Sequence, residues 1–325
     1  MAEQYLLEIK NLSSAFIYNG KPVPVIFDVS YYIRYGEVLG VVGESGSGKS
    51  VTAKNVMRLL SPHSSTVLSG EIILDGESIL EKTEKQMQKI RGDKVSMIFQ
   101  EPMTSLNPVF TCGNQIIEAI TQHQKVSKEE AYRRAVEMLD MVGITMPEAR
   151  MKAYPHELSG GMRQRVMIAM ALCCNPKLLI ADEPTTALDP TIQAQILLLL
   201  KQMRDKLGMG IMYITHDLSV VAQMCDRVAV MYAGMIQEIA DVRTLFHQPM
   251  HPYTLGLMQA MPQMEGKNRR LYTIPGVVPH ITQMPRGCHF APRCPDATER
   301  CRESCPPLID TGGDHYVRCF NYEQG

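Results

Sequence analysis

The sequence predicts an α/β fold in which a parallel β-sheet presents a glycine-rich loop. An apolar run at 38–42 leads into a glycine-rich loop and then a helical pattern. A strand–helix–strand order follows over 178–215, and this order favours parallel strands. With 325 residues, 45% of them hydrophobic, the chain can bury one large core and support a smaller appendage. One or two domains are therefore expected.

Short strand patterns dominate the first part of the chain, from Leu6 to about Gly76, with turn residues between them. The clearest runs are 7–9, 38–42 and 71–76. A helix is predicted from Lys49 to Leu60, where Ser61-Pro62 ends it. The order of strand, glycine loop and helix is the context that a phosphate-binding loop requires.

Helical periodicity replaces the strand patterns from about 118 to 172 and predicts a helical insertion. Strands return at 178–182 and 211–215 with a helix between them, and a hairpin is predicted around Ala233-Gly234. After Phe246, frequent prolines prevent long regular elements. We therefore assign residues 5–250 to the main domain and 251–325 to a C-terminal extension.

The glycine-rich segment fits the pattern G-x-x-x-x-G-K-[ST]. Its glycines let successive backbone N–H groups face a phosphate at a helix N-terminus. Lys49 is expected to reach the β- and γ-phosphates, and the Ser50 hydroxyl to bind Mg²⁺. By itself this loop indicates only that ATP or GTP binds. The candidate nucleotide contacts here are Gly43, Glu44, Ser45, Gly46, Ser47, Gly48, Lys49, Ser50 and Val51.

Two carboxylates, Asp182 and Glu183, end the apolar strand 178–182. Adjacent carboxylates often belong to a solvated turn, but the four apolar residues before this pair favour a buried strand end. Asp182 is the candidate that orients Mg²⁺. Glu183 is the candidate general base, which would polarise the water that attacks the γ-phosphate.

A second anion-binding helix start is predicted at 158–164. Ser159 is a good N-cap, and Gly160 and Gly161 leave N–H groups accessible to an anion. Such a start is common in isolation. Here it follows the helical insertion and precedes Asp182 by about 20 residues, so Gln164 in the same segment is also a candidate contact.

In this order, the three segments resemble those of the ATP-binding cassette (ABC) ATPases. The resemblance covers about residues 5–245 and implies a P-loop NTPase cassette with a RecA-like parallel-sheet core, an N-terminal antiparallel β subdomain and a helical subdomain. It also implies that two cassettes pair head to tail, each closing Ser159–Gly161 over the γ-phosphate held by the other. ATP would then favour closure, and hydrolysis would release it.

The same resemblance implies further site residues. Gln100 matches the Q-loop glutamine, which contacts Mg²⁺ or the water, and His216 matches the switch histidine that bonds the γ-phosphate. Asp189 ends the D-loop segment 186–189, which lies along the dimer interface in this family. Phe16 is implied to stack on adenine, with Tyr18 as the alternative.

Segments of the extension indicate which group of ABC ATPases the chain resembles. Residues 251–254, 274–279 and 287–295, together with the Q-loop segment 100–108, resemble oligopeptide/dipeptide importer ATPases. This implies an ATPase that powers import of di- and oligopeptides, paired with a second ATPase, a paralogue, and with two transmembrane permease subunits supplied by an extracytoplasmic peptide-binding protein. Import of nickel or another small solute, and a soluble ABC ATPase outside transport, are the alternatives.

Charge and hydropathy limit the partners. A net charge of −1 lacks the basic excess typical of nucleic-acid binding, so no nucleic acid is expected. No apolar run approaches the roughly 18 to 20 residues that span a bilayer. Together with the absence of such a run, the resemblance implies a peripheral subunit at the cytoplasmic face of the inner or plasma membrane, held by the permease.

Five of the nine cysteines lie between 288 and 319. Members of the importer family hold an iron–sulfur cluster there, so a [4Fe-4S] cluster is predicted, with zinc or a metal-free tail as alternatives. In a proline-rich, poorly cored tail a metal would replace missing burial. His289 and His315 are expected at the surface. The predicted ligands are Cys288, Cys294, Cys301 and Cys319, with Cys305 as an alternative fourth.

Overall fold

The computed structural model describes residues 5–100, 106–186, 188–261 and 273–323, which contain two β-sheets and a helical region. The strands are β1 (Leu7–Tyr18), β2 (Lys21–Ile33), β3 (Val38–Val42), β4 (Ser65–Leu74), β5 (Glu77–Ser78), β6 (Val95–Ile98), β7 (Leu178–Asp182), β8 (Gly210–Thr215), β9 (Arg227–Tyr232), β10 (Met235–Asp241), β11 (Ile309–Asp310) and β12 (Tyr316–Val317). The helices are α1 (Lys49–Val56), α2 (Glu84–Ile90), α3 (Cys112–His123), α4 (Lys128–Met141), α5 (Pro147–Arg150), α6 (Gly160–Leu172), α7 (Pro190–Leu207), α8 (Leu218–Met224), α9 (Val242–His247), α10 (Pro252–Gln259) and α11 (Glu299–Glu303).

The larger sheet has the strand order β11-β12-β10-β9-β3-β8-β7-β6, and its five strands from β9 to β6 are parallel. Every residue of β3, β7 and β8 is buried, as expected for parallel strands covered on both faces. The predicted parallel-sheet core is confirmed. The predicted hairpin is also present, because β9 and β10 pair antiparallel around Ala233 and Gly234, both of which have positive φ.

Four neighbouring parallel strands, β3, β8, β7 and β6, end at the same edge of this sheet. The residues that follow their carboxyl ends therefore gather there, which is where open α/β sheets bind ligands. These residues are the phosphate-binding loop after β3, His216 after β8, Glu183 after β7 and Gln100 after β6.

The smaller sheet is antiparallel, with the order β2-β1-β4-β5, and it confirms the predicted N-terminal β subdomain. Its strands are longer than the short runs in the sequence suggest. Asn19 and Gly20 both have positive φ and form the tight turn that joins β1 to β2. Buried residues such as Leu7 and Ile72 pack in one cluster with Ile180 of the larger sheet.

The helical region runs from α3 to α6, and its start lies before the predicted position 118 because the Thr111 side chain caps α3 by accepting from Asn114 N. In contrast, α1 ends at Val56 and not at Leu60 as predicted. Arg58 adopts a φ of +48°, which the right-handed helix cannot accommodate. In the described parts of the chain, no helix is both long and apolar enough to cross a bilayer.

The C-terminal extension is joined to the cassette sheet, since Tyr316 of β12 pairs with Ile239 of β10. Phe290 and Tyr253 are buried in a cluster with Val42 of β3. The expectation of a poorly cored tail is therefore wrong, because the extension shares the core of the cassette. The expectation that two histidines of the extension lie at the surface is also wrong, because both are buried. His289 bonds the Ala233 carbonyl and His315 bonds the Glu238 carboxylate.

Candidate active site

The phosphate-binding loop turns directly from β3 into α1, and a Cβ on either of two of its glycines would lie under 3 Å from a neighbouring atom. A Cβ on Gly43 would lie 2.0 Å from the Met231 carbonyl oxygen, and one on Gly48 would lie 2.7 Å from Ile26 Cδ1. Both glycines also have positive φ. The motif therefore depends on glycine here for both space and backbone conformation.

Lys49 folds back into this loop. Its Nζ donates to the carbonyl oxygens of Gly43 (2.8 Å) and Glu44 (2.9 Å) and to Ser47 Oγ (3.2 Å). Burial lowers the pKa of Lys49, and the nearby carboxylates at the end of β7 oppose that shift. The first intrahelical bond of α1 runs from Thr52 N to the Gly48 carbonyl oxygen, so the N–H groups of residues 49–51 lie at the open helix N-terminus. The Lys49 ammonium group and the N-terminus of α1 thus form one anion-binding site.

Two of the three predicted Mg²⁺ residues meet across 132 positions of the sequence: Ser50 Oγ donates to Asp182 Oδ1 at 2.9 Å. A hydroxyl and a carboxylate are oxygen ligands of the kind that Mg²⁺ prefers. Burial raises the pKa of Asp182, although the bond from Ser50 acts in the opposite direction. A cation at this position would relieve the cost of the buried charge.

Glu183 is the centre of a hydrogen-bond network. Its Oε2 accepts from Gln100 Nε2 (2.9 Å) and Thr186 Oγ1 (3.0 Å), and its Oε1 lies 3.2 Å from His216 Nδ1. Burial raises the pKa of Glu183, but the bonds to His216 and Thr186 outweigh it, and the pKa lies below its ordinary value. The carboxylate is therefore ionised at neutral pH, as a general base must be.

The backbone of Glu183 is itself unusual, with a φ of +47°. The left-handed region costs a non-glycine residue roughly 1–2 kcal/mol. The Glu183 N–H donates to the Ile214 carbonyl oxygen at 2.9 Å, and this bond to β8 helps hold the turn. Backbone strain of this kind is concentrated at functional sites.

The helix start at 158–161 faces outward. The Ser159 side chain caps α6 by accepting from Met162 N at 3.3 Å, and both Ser159 and Gly160 are exposed. A Cβ on Gly160 would meet no atom within 4 Å. In the described ranges, no hydrogen bond links this helix start to the phosphate-binding loop of the same chain. Its N–H groups are thus presented to an external anion.

Two other predicted contacts have structural partners. Gln164 is 1% exposed, and its Nε2 donates to the Pro184 carbonyl oxygen at 2.5 Å. It links α6 to the turn after β7 and lies in the interior. Asp189 is exposed and caps α7 by accepting from the N–H groups of Thr191 (3.1 Å) and Ile192 (3.0 Å).

The candidate adenine residues share one face of β1 but differ in exposure. Phe16 is half-buried against the core cluster, whereas the Tyr18 side chain is 65% exposed. Two predicted motif segments lie partly outside the described residues. These are 101–105 of the Q-loop segment and Ala187 of the D-loop segment.

Two contacts of this site were not predicted from the sequence. The Thr186 hydroxyl donates to the carboxylate of Glu183, the candidate base. Because Thr186 lies only three residues after Glu183, the sequence spacing could have indicated this contact. The Tyr253 hydroxyl accepts from the Glu44 N–H at 2.9 Å, so the extension reaches the phosphate-binding loop. No local pattern marks Tyr253, because its partner lies 209 positions away.

The predicted cysteine ligands come together in the extension. Cys288, Cys294, Cys301 and Cys319 line one cavity of about 20 Å³. Cys305 is not among the lining residues, and its Sγ lies 3.8 Å from Met235 Sδ. The thiols suit a soft metal. In the parts of the chain that the structure describes, however, no three His, Cys, Asp or Glu side chains lie close enough to hold a metal ion as they stand.

The parallel sheet, the phosphate-binding loop, the paired carboxylates and the outward helix start together define a nucleotide-hydrolysing cassette of the ABC type. Residues 26–186 match the family model described as ABC transporter, and residues 237–301 match the one described as oligopeptide/dipeptide transporter, C-terminal region. The chain belongs to the ATP-binding subunits of oligopeptide-type ABC transporters, and it is an ATPase.

Curated relatives cover almost the whole chain. The oligopeptide transport ATP-binding protein AppD of Bacillus subtilis (strain 168) is 51% identical over 98% of this chain and 97% of its own length. OppD of Escherichia coli (strain K12), an oligopeptide transport ATP-binding protein, is 49% identical over 97% of this chain and 93% of its own.

Among solved structures, a dimeric ATP-binding cassette in a post-hydrolysis state with ADP and phosphate matches with a TM-score of 0.65. The two sequences are 29% identical, and the alignment covers 73% of the present chain and 99% of the chain in that solved structure. CbiO1 of Clostridium perfringens, part of an ABC transporter complex, has a TM-score of 0.65 and 30% identity, over 76% of this chain and 92% of that chain.

Proposed function

We propose that this ATPase powers the import of di- and oligopeptides through a membrane ABC transporter. The observation that carries the proposal is the C-terminal extension, which matches the oligopeptide/dipeptide transporter region over 237–301 and packs into the cassette core. Relatives named for oligopeptide transport are about half identical over nearly the full chain. No feature of the described residues favours nickel import or a role outside transport.

The site residues have complementary roles in this proposal. Lys49 and the N–H groups of residues 43–51 bind the ATP phosphates. Ser50, Asp182 and Gln100 are the candidate Mg²⁺ ligands, and bound Mg²⁺ would neutralise charge that develops on the phosphates. Glu183 takes the proton from the attacking water, while His216 orients that water and the γ-phosphate. For adenine we propose stacking on Phe16, with the more exposed Tyr18 as the alternative.

The cassette works as one half of a dimer in this proposal. Ser159–Gly161 would bind the γ-phosphate held by a second cassette, and Asp189 would lie at the interface between them. The outward exposure of the α6 N-terminus supports this arrangement. We propose a paralogue as the second cassette, so that the ATPase pair is a heterodimer. ATP ties the two halves together, and hydrolysis removes the tie.

Exposed apolar side chains on both sides of the Q-loop segment in sequence support binding to transmembrane subunits. Val109 is 70% exposed, and Phe99 and Phe110 are 40% and 50% exposed. Large apolar side chains that stay exposed at an interaction segment are candidates for burial by a partner. We propose that two permease subunits, supplied by an extracytoplasmic peptide-binding protein, cover these side chains. The chain would then be peripheral, at the cytoplasmic face of the inner or plasma membrane.

We also propose that Cys288, Cys294, Cys301 and Cys319 hold a [4Fe-4S] cluster, with zinc as the alternative metal. Burial raises the pKa of Cys288, Cys294 and Cys319, and hydrogen bonds from backbone N–H groups two residues later, at Phe290, Asp296 and Asn321, oppose that shift. Such bonds stabilise thiolates at iron–sulfur sites. The cysteine side chains would have to rotate outward to admit the cluster, because the cavity of about 20 Å³ is close to the size of one water molecule.

Reconstitution tests the transport proposal. The full-length chain, co-purified with its membrane subunits and second ATPase, is placed in proteoliposomes with the binding protein. ATP-dependent uptake of labelled di- and oligopeptides is expected, together with loss of uptake for Glu183→Gln. Uptake of radioactive nickel without peptide would instead identify a metal importer. If the chain co-purified with no membrane subunit at all, that result would contradict a transport function.

A further inference from the structure

An arginine of the extension forms an ion pair with the phosphate-binding loop through a largely buried side chain. The Arg293 side chain is 5% exposed, and its Nη1 lies 2.9 Å from Glu44 Oε2 across 249 positions of the sequence. Glu44 is the residue directly after Gly43 in the loop. A charged residue of the tail thus contacts the segment that binds the ATP phosphates.

The rest of the guanidinium is held in a fixed orientation. Nε donates to the Pro275 carbonyl oxygen at 2.9 Å and Nη2 to the Ile274 carbonyl oxygen at 3.1 Å. Nη1 also lies 3.4 Å from the Tyr232 hydroxyl. Since the planar fork is fixed by neutral acceptors on its other edges, it directs Nη1 towards Glu44. Glu44 is the charged partner of Arg293 in this arrangement.

The same stretch of the extension, residues 288–294, is also linked to the loop indirectly, through the turn between β9 and β10. His289 Nδ1 lies 2.7 Å from the Ala233 carbonyl oxygen, and the next residue, Gly234, donates its N–H to the Ser47 carbonyl oxygen at 2.9 Å. The Tyr253 hydroxyl accepts from the Glu44 N–H. The loop is therefore supported by the extension at both Glu44 and Ser47.

Charge gives the ion pair its importance. The loop must hold the several negative charges of ATP, yet Glu44 places a carboxylate inside it. An unpaired carboxylate this close would repel the phosphates, because Coulomb forces are weakly screened in partly buried sites. The Glu44 side chain is 30% exposed, so water alone does not fully screen it. A paired arginine cancels the charge and fixes the carboxylate in one position.

We propose that Arg293 is a positioning residue for ATP binding: it neutralises Glu44 and holds its carboxylate against the extension, so that the phosphate-binding loop accepts the ATP phosphates. The C-terminal extension is then a working part of the nucleotide site, in addition to any role in assembly or metal binding. Arg293 itself acts through Glu44 and does not contact the nucleotide.

A double-mutant cycle on the full-length chain tests the proposal, with the dissociation constant of ATP as the readout. Arg293→Gln should weaken ATP binding about tenfold in the wild-type background, because Glu44 is left unpaired. In the Glu44→Gln background the same substitution should change the constant by less than about twofold. The Arg302→Gln variant is the control, since Arg302 is an exposed arginine of the extension that pairs at 3.0 Å with Glu299, and it should bind ATP as the wild type does.

Arg293→Lys separates charge from shape and remains informative if Arg293→Gln fails to fold. Lysine keeps the positive charge but cannot hold both carbonyl groups, so the charge proposal expects ATP affinity within about threefold of wild type. A loss for Arg293→Gln that is equal in both backgrounds would overturn the proposal, because Arg293 would then act only by holding residues 274 and 275. Unchanged affinity in Arg293→Gln would overturn it as well.

Discussion

Glu183 Oε1 lies 3.2 Å from His216 Nδ1, which joins the carboxyl end of β7 to that of β8. The two residues are 33 positions apart in sequence, and they meet because their strands are parallel neighbours. Gln100 reaches the same carboxylate from β6. The candidate general base is thus held by residues that follow both flanking strands. A movement of either strand would therefore shift the position of the Glu183 carboxylate.

Replacing Glu183 with Gln should slow ATP hydrolysis by at least about a hundredfold, because the amide cannot accept the proton of the attacking water. ATP binding should persist, and the ATP-bound dimer should accumulate. Single-turnover hydrolysis and size-exclusion chromatography measure the two effects. Glu137→Gln, at an exposed carboxylate of α4, is the control. Near wild-type turnover in Glu183→Gln would mean that another group is the base.

Ser159→Arg should block closure of the dimer, since a long cationic side chain would occupy the helix start that faces the partner. We expect turnover to fall about a hundredfold, while ATP binding by the loop of the same chain is retained. Ser127→Arg is the matched control, because Ser127 caps α4 in the same way by accepting from Glu130 N at 3.2 Å. Each variant loses a cap worth about 1 kcal/mol. Equal ATPase rates in the two variants would contradict the role of Ser159.

Asp182→Asn should raise the stability of the nucleotide-free protein. Because it removes a candidate Mg²⁺ ligand, it should also abolish the response of the protein to added Mg²⁺. Burial raises the pKa of Asp182. The folded protein therefore holds this proton to a higher pH than the unfolded chain does, and the ionised carboxylate costs stability at neutral pH. The melting temperature at pH 7 should therefore rise by about 2 °C. Asp205→Asn, at an exposed carboxylate, should show no such gain. A decrease for Asp182→Asn would contradict this reading.

Acid should destabilise the extension through His251. Burial lowers the pKa of His251 to about 4, against the opposing pull of Glu238. The unfolded chain then binds this proton first as pH falls from 6.5 towards 4, so up to about 3 kcal/mol of unfolding free energy is lost in that window. His251→Asn keeps an acceptor for the Tyr253 N–H, which now bonds His251 Nδ1 at 3.0 Å, and should reduce the loss.

Urea unfolding at pH 7.5 and pH 5 measures this effect of His251. His280→Asn is the matched control, because His280 also caps a short helix, by accepting from the Thr282 N–H, but is exposed. The same loss of stability between the two pH values in His251→Asn and in wild type would show that His251 does not control the acid response.

Anaerobic purification should yield a brown protein with iron and acid-labile sulfide in roughly equal amounts, since a [4Fe-4S] cluster contains four of each. Substituting Cys319 with Ser should reduce the iron content strongly, whereas Cys305→Ser should not, because Cys305 lies outside the cavity that the other four line. Colourless protein that contains zinc would reject the cluster. Equal iron in the two variants would reject Cys319 as a ligand.

The nucleotide motifs could be predicted because each is local. Residues 43–50, 158–164 and 182–183 each combine a strand end or helix start with residue types that serve one chemical purpose, and short spacing encodes that geometry. The end of α1 could not be read in the same way, because a residue such as Arg58 carries no sequence signal for positive φ. The extension was misjudged for a related reason: its prolines indicate irregular backbone but say nothing about what that backbone packs against.

The sequence by itself determined the class of this protein, and it predicted the candidate residues for ATP binding and hydrolysis and the cysteines that line the tail cavity. Only the tertiary structure decided that Gln100 and His216 converge on Glu183, and that Arg293 and Tyr253 reach Glu44. The physical reason is that periodicity and spacing report the conformation of a few adjacent residues. A hydrogen bond between residues 200 or more positions apart depends instead on how whole elements pack, and a charged or aromatic residue in a proline-rich tail gives no local sign of its partner.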